Sequence, residues 1–285
     1  MGQKLAVKKM SHKKPLLTFR QTDPIRLECA IDLNRLFDSE NERSRFDEKW
    51  IPFLKSEPYN HKIYRLNGNQ ITYQSEHFIP LKKDNRPPLL LVFGNPASHS
   101  VAAGIFFAFK DNGKESRFWK SILKPAGVLS FSFDENLPAE KLNALRKKQL
   151  LKLDCETPFR IGLSVFISLP SAPSGPWGGV AGVQKLIGFK ALRRLETAES
   201  KRITKCAKAF IGDDSRGKVV TFQKNAWNGL RSNQNPDYKI EMAKDAKLVG
   251  CLRDQPKIPI FGAPPTRLAG PARNVLESVV FGKAS

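Results

Sequence analysis

A chain of 285 residues, 40% hydrophobic and 26% charged, is long enough to bury a sizeable core and too apolar for wholesale disorder. Lys and Arg outnumber Asp and Glu by 48 to 27, a net charge of +21, which points to a polyanionic partner, nucleic acid above all, bound in a salt-sensitive way. No apolar run reaches the roughly 20 residues of a membrane span, and no leader sequence is evident. Cys29, Cys155, Cys206 and Cys251 are scattered without a C-x-x-C pair, and His12, His61, His77 and His99 do not cluster. These spacings argue against a zinc or iron–sulfur site and against a disulfide framework. The expectation is an intracellular monomer with reduced cysteines and no metal or cofactor, cytoplasmic and nucleoid-associated if the source is a bacterium.

In chain order, residues 1–20 are basic and read as a flexible arm able to add phosphate contacts. From Asp23 to about Leu54 the pattern is helical: Leu27, Ala30, Ile31 and Phe37 share a side, Asp23 can cap the start, and Trp50, Ile51, Phe53 and Leu54 bury the end. Ile63–Leu66 and Gln70–Tyr73 flank Asn67-Gly68, a β-hairpin signature. Residues 21–75 thus form a helical and hairpin extension packed on a core domain of residues 76–285. Glu76 and His77 fit local hydrogen bonds at the hairpin exit better than an acid/base pair.

Leu89–Phe93 is a continuous apolar run that stops at Gly94-Asn95-Pro96, the signature of a strand buried on both faces and ending in a tight turn. In open α/β sheets ligands bind just beyond such strand ends, so Asn95 would present an amide at a cleft floor. Ser98, His99 and Ser100 follow. Next comes Gly104-Ile105-Phe106-Phe107, where small residues permit close backbone approach and an aromatic can stack on a planar base. Arg117–Leu123 suggests a short helix and Pro138–Leu153 a longer one.

Ile161–Ile167 is a second buried strand, leaving through a Pro/Gly/Ser-rich loop that includes Ser168, Leu169, Pro170 and Ser171. A strongly basic helix spans about 180–210, with a solvated face and a phosphate-facing role both open. Lys218–Gln223 is a third strand, Asp237–Leu252 a helix, Ile258–Phe261 a fourth strand, and Pro271–Val280 a last helix. Four strands separated by crossover-length segments predict a three-layer α/β/α sandwich around a four-stranded, mainly parallel sheet.

This arrangement resembles the uracil-DNA glycosylase superfamily over roughly residues 75–280. Gly94-Asn95-Pro96 is similar to the Asn-Pro form of the family's first motif, in which the Asn positions the attacking water. Gly104-Ile105-Phe106-Phe107 matches the segment carrying the aromatic that stacks on the target base, which points to Phe107 with Phe106 beside it. Ala263-Pro264-Pro265-Thr266-Arg267-Leu268 occupies the place of the second motif after the last strand. Pro264 matches that motif, no His does, and Arg267 or Leu268 stands where the family wedges the DNA stack. A rival placement at Leu169-Pro170-Ser171 is disfavoured by strand order, and it keeps Ser171 among the DNA-contact candidates. Only Ser168 lies near the position of the base-selecting Asn. His99 is open to a base-donating or a helix-entry role.

The resemblance implies a monofunctional DNA glycosylase acting on a deaminated base, uracil by default, in base excision repair. Asn95 is then catalytic, and Gly94, Pro96, Phe106, Phe107, Ser168 and His99 surround the base. The alternative is a non-catalytic nucleic-acid-binding protein on the same scaffold. A nucleotide-handling α/β enzyme has no G-x-x-x-x-G-K-[ST] or G-x-G-x-x-G stretch to support it.

Overall fold

A computed structural model describes residues 15–109, 113–133 and 136–282. In chain order the elements are β1 (Leu17–Gln21), β2 (Arg26–Asp32), α1 (Leu33–Leu36), α2 (Glu40–Lys55), α3 (Asn60–Ile63), β3 (Tyr64–Asn67), β4 (Gln70–Phe78), β5 (Pro88–Phe93) and α4 (Ser98–Ala103). A π-helical turn at Phe118–Leu123 precedes α5 (Ala139–Lys152), β6 (Arg160–Val165), α6 (Gly179–Ile187) and α7 (Phe189–Ile211). The chain continues through β7 (Lys218–Thr221), α8 (Lys224–Leu230), α9 (Ile240–Lys244), β8 (Leu248–Leu252), β9 (Gln255–Gly262) and α10 (Ala269–Phe281).

The four expected parallel strands stand together in the order β6-β5-β7-β9. Every residue of β5 and β6 is buried, because helices cover both faces of the sheet. The pleat sends alternate residues of β5 to opposite sides. Leu90 and Val92 join a core with Leu192, Leu195 and Ile203 of α7, while Leu89, Leu91 and Phe93 join a second core with Phe118, Ile122, Leu276 and Val279. The molecule is therefore the α/β/α sandwich expected, but the sheet is wider: antiparallel strands extend both edges to nine strands among the described residues, ordered β1-β2-β4-β6-β5-β7-β9-β8, with β3 beside β4.

Three departures from the sequence reading explain that width. Residues 26–32 form β2 rather than a helix: Leu27, Cys29 and Ile31 alternate inward, and Asp23 accepts the N–H groups of Ile25 and Arg26 (2.7 and 2.9 Å) in a turn that launches the strand instead of capping a helix. Residues 17–20 of the expected arm pair with β2 as an edge strand, and residues 1–14 lie outside the described residues. Residues 248–252 form β8, hydrogen-bonded to β9, and leave only Ile240–Lys244 of the expected 237–252 helix. The hairpin forms as expected, turning at Gly68 with φ +55°. Its second strand, β4, pairs with β2 along Gln70–Glu76 and then with β6 at His77 and Phe78, so the expected boundary at residue 75 falls within one continuous strand. The long basic helix breaks at Gly188 (φ +85°) into α6 and α7.

The crossover from β5 to β6 runs to one side of β5, and the next crossover carries the chain back past it to β7. A crevice opens where the winding reverses, beyond the carboxyl ends of β5 and β7.

Candidate active site

That crevice is a cleft of about 470 Å³. Its floor is the turn leaving β5. Gly94 has no side chain, and a Cβ there would collide with the side-chain amide of Gln223 from the end of β7. The β6 exit runs alongside: Ser171 N–H donates to Pro96 O (3.1 Å) and Ser98 N–H donates to Ser171 O (3.0 Å). These bonds tie the two loops into one rigid lip.

Asn95 sits between them, half-buried. Its Nδ2 donates to Ser171 Oγ (2.9 Å) and to the Leu169 carbonyl (3.1 Å). A carbonyl only accepts, so the NH₂ end must face the protein. Oδ1 is then left toward the cleft, on the side of Gly179, as an acceptor without a partner among the described residues. The side chain is thus oriented to hold a water or another donor, and an amide has no basicity with which to take its proton.

Phe107 forms a wall of the same cleft. Its ring lies nearly parallel to Phe118 (4.3 Å between centroids, 26°) and edge-on to Phe93 (4.9 Å, 81°). Its φ is +49°, a left-handed conformation that costs a bulky L-residue on the order of 1–3 kcal/mol. The Trp119 indole N–H holds the Phe107 carbonyl at 3.0 Å and helps to fix this backbone. Phe106 is different: only 2% exposed and packed near Phe93, it belongs to the core and not to the cleft, which corrects its placement as a base contact.

From the far side, Thr266 and Arg267 reach the cleft from the loop after β9, with Arg267 exposed at the rim. Pro264, Pro265 and Leu268 do not line it: Pro264 is buried, and the N–H of Leu268 bonds the Pro265 carbonyl (2.8 Å) where α10 begins. Of the residues named from sequence, Asn95, Pro96, His99, Phe107, Ser171, Thr266 and Arg267 therefore meet in one cleft. Gly94 shapes its floor without lining it.

Ser168 is elsewhere. Its N–H donates to Glu199 Oε1 of α7 (2.6 Å), its hydroxyl contacts the same oxygen and Tyr73 OH, and it is fully buried. Glu199 is also paired with buried Arg202 (2.5 Å). The hydroxyl is spent on holding that buried carboxylate, so Ser168 reads no base.

Several cleft residues escaped the sequence reading. Gln223 is one. Lys114, Glu115, Ser116 and Arg117 are others, in a stretch with no periodic pattern to flag it. Glu115 is the one carboxylate lining the cleft among the described residues, and it is ion-paired to Arg146. Arg146 is fully buried, its guanidinium among the rings of Phe109, Trp119, Phe131 and Phe133 at 4.3–5.4 Å. Burial lowers Arg146 to about 10 against the opposing pull of Glu115.

A larger hollow of about 760 Å³ on the β4–α7 side contains His77, Arg202 and Cys206. Cys206 Sγ lies 3.8 Å from His77 Nε2. Burial pushes the thiol up to about 11, and burial together with nearby Arg202 pushes His77 down to about 3. The pair stays thiol and neutral imidazole, which gives no activated nucleophile.

No family model matches the chain, and no curated protein matches it.

Proposed function

We propose that the protein is a monofunctional DNA glycosylase that hydrolyses the N-glycosidic bond of a deaminated base, uracil by default, flipped out of DNA for base excision repair. The observation that carries this reading is the convergence of Asn95, Phe107 and Arg267 on one cleft at the winding reversal of the parallel sheet. The net charge of +21 supports a nucleic-acid substrate.

In this reading the flipped base lies against the Phe107 ring, and the attacking water donates a hydrogen bond to Asn95 Oδ1. The C1′–N bond breaks with its electron pair leaving on the base. The water oxygen bonds C1′, and its proton passes to solvent or to Glu115. Since an amide is no base, the sugar cation must form largely ahead of attack. The flanking phosphates supply the negative field that favours it, since the Glu115 charge is already offset by Arg146.

The test is base release from a uracil-containing oligonucleotide, read as an alkali-labile abasic site. Asn95→Ala is expected to lower the rate on the order of 10²-fold through loss of water positioning, with DNA binding retained. Glu115→Gln is expected to lower the rate less. No release from uracil, hypoxanthine or xanthine, in single or double strands, overturns the reading. One observation favours a second reading, a non-catalytic nucleic-acid-binding protein: residues 263–268 supply no His to assist the departing base. Salt-sensitive binding without base release, unchanged by Asn95→Ala, would establish it.

A further inference from the structure

Gln223 occupies the N-cap of α8 in extended conformation (φ −157°, ψ 155°), yet its side chain does not cap the helix. Ser, Thr, Asp and Asn are the residues that serve an N-cap well. A Gln there forgoes the local bond, and its amide lies instead across Gly94, in the space a Cβ at that position would fill. The register explains the approach: Val92 pairs with Thr221, and Phe222 N–H donates to Val92 O (2.9 Å), so the two strand exits leave side by side. The Gln223 side chain is half-buried in the cleft and makes no hydrogen bond to a described residue. At the cleft floor, with no described protein partner, this primary amide is free to bond a ligand in place of solvent.

We infer that Gln223 reads the edge of the bound base. Its carbonyl and NH₂ lie side by side and complement an adjacent N–H and C=O, the lactam edge that uracil offers at N3 and O4 and hypoxanthine at N1 and O6. The ligand class is a planar six-membered lactam, its face on Phe107 and its edge on Gln223. This assigns to the end of β7 the selecting role that Ser168, bound to Glu199 at the end of β6, does not fill. It also gives Gly94 a purpose of its own, which is to leave room for the amide. The assignment rests on the glycosylase reading for the source of the base and not for the recognition itself.

The experiment compares two single-stranded oligonucleotides, one with uracil and one with N3-methyluracil, which lacks the N3–H donor. Both equilibrium binding and base release are measured for wild type and Gln223→Leu. Wild type is expected to prefer uracil by on the order of 10²-fold or more, because a site built for a hydrogen bond rejects an analogue lacking it. Gln223→Leu is expected to bring that ratio to near one. A structural role would lower both substrates equally and leave the ratio standing, which overturns the inference. Base release with an unchanged ratio sinks the Gln223 role and leaves the glycosylase reading intact. A wild-type preference in binding that Gln223→Leu removes, with no base release, keeps the recognition and removes the hydrolysis. No preference and no release overturn both.

Discussion

At the scale of single residues, Phe107 carries two demands that pull apart. Its ring is wanted on the cleft wall, while its backbone sits at φ +49°, where glycine is at home and phenylalanine is not. Replacing it by Ala and by Gly separates the two. Both variants lose the stacking face, worth about 1–3 kcal/mol per base, so each should lose on the order of 10- to 10²-fold in base release. They should differ in stability: Gly relieves the left-handed strain that Ala retains, so Phe107→Gly should be more stable than Phe107→Ala by roughly 1 kcal/mol in denaturant midpoints. A glycine variant that is the less stable of the two would mean that the backbone is not strained. Asn95 shows the opposite economy, since its donors are consumed by Leu169 and Ser171 and its single useful atom faces outward.

Among the elements, β5 and β6 were legible because each is a short apolar run bounded by Gly, Pro or Ser and buried on both faces, while β7 and β9, which carry partly exposed residues, were legible from their apolar centres alone. β2 was not legible. Leu27, Ala30 and Ile31 satisfy a helical spacing while Leu27, Cys29 and Ile31 satisfy a strand, and only the neighbouring β4 decides between them. Asn95 could be read from the turn after β5, and Phe107 from the resemblance of residues 104–107 to a glycosylase motif. Gln223 and Glu115 could not, since their places in the cleft arise from strand adjacency and a tertiary ion pair. Besides Tyr73, β4 holds two buried titratable groups near its end. Burial raises the Glu76 carboxyl well above its ordinary value and lowers His77 to about 3, with Arg202 adding to the second effect. Folded Glu76 keeps its proton where the unfolded chain has lost it, so its contribution is full below the unfolded pKa of about 4.5 and declines as pH rises. Folded His77 stays neutral where the unfolded chain binds a proton, so its contribution is full above about 6.5 and declines as pH falls toward 3. Between about 4.5 and 6.5 the two slopes oppose each other, and above that range the Glu76 decline stands alone at β4. Urea midpoints should therefore fall from pH 6.5 to 9 in wild type and fall less in Glu76→Gln. Equal slopes would show that the carboxyl is ionised in the folded protein.

For the whole molecule the question is where the net charge of +21 acts. The basic helix read from sequence is partly committed to structure: Arg202 is buried on Glu199, Arg194 reaches Asp38, Glu42 and the Leu36 carbonyl, and Arg193 pairs with Glu196. The cleft is flanked by Arg117 and Arg267, and an adjoining hollow that shares His99 and Ala108 adds Lys62 and Lys147. A strand entering the cleft would be tracked by these cations and not by α7. Each phosphate contact releases counterions, so the slope of log affinity against log salt counts contacts. Arg267→Ala should reduce that slope by about one contact, with binding weakened alike across sequences. Lys201→Ala with Lys205→Ala, on the exposed face of α7, should leave the slope unchanged despite removing twice the charge. If the α7 pair lowers the slope and Arg267→Ala does not, the strand runs over the helical face, and a cleft without a strand at its mouth has no route by which to receive a flipped base.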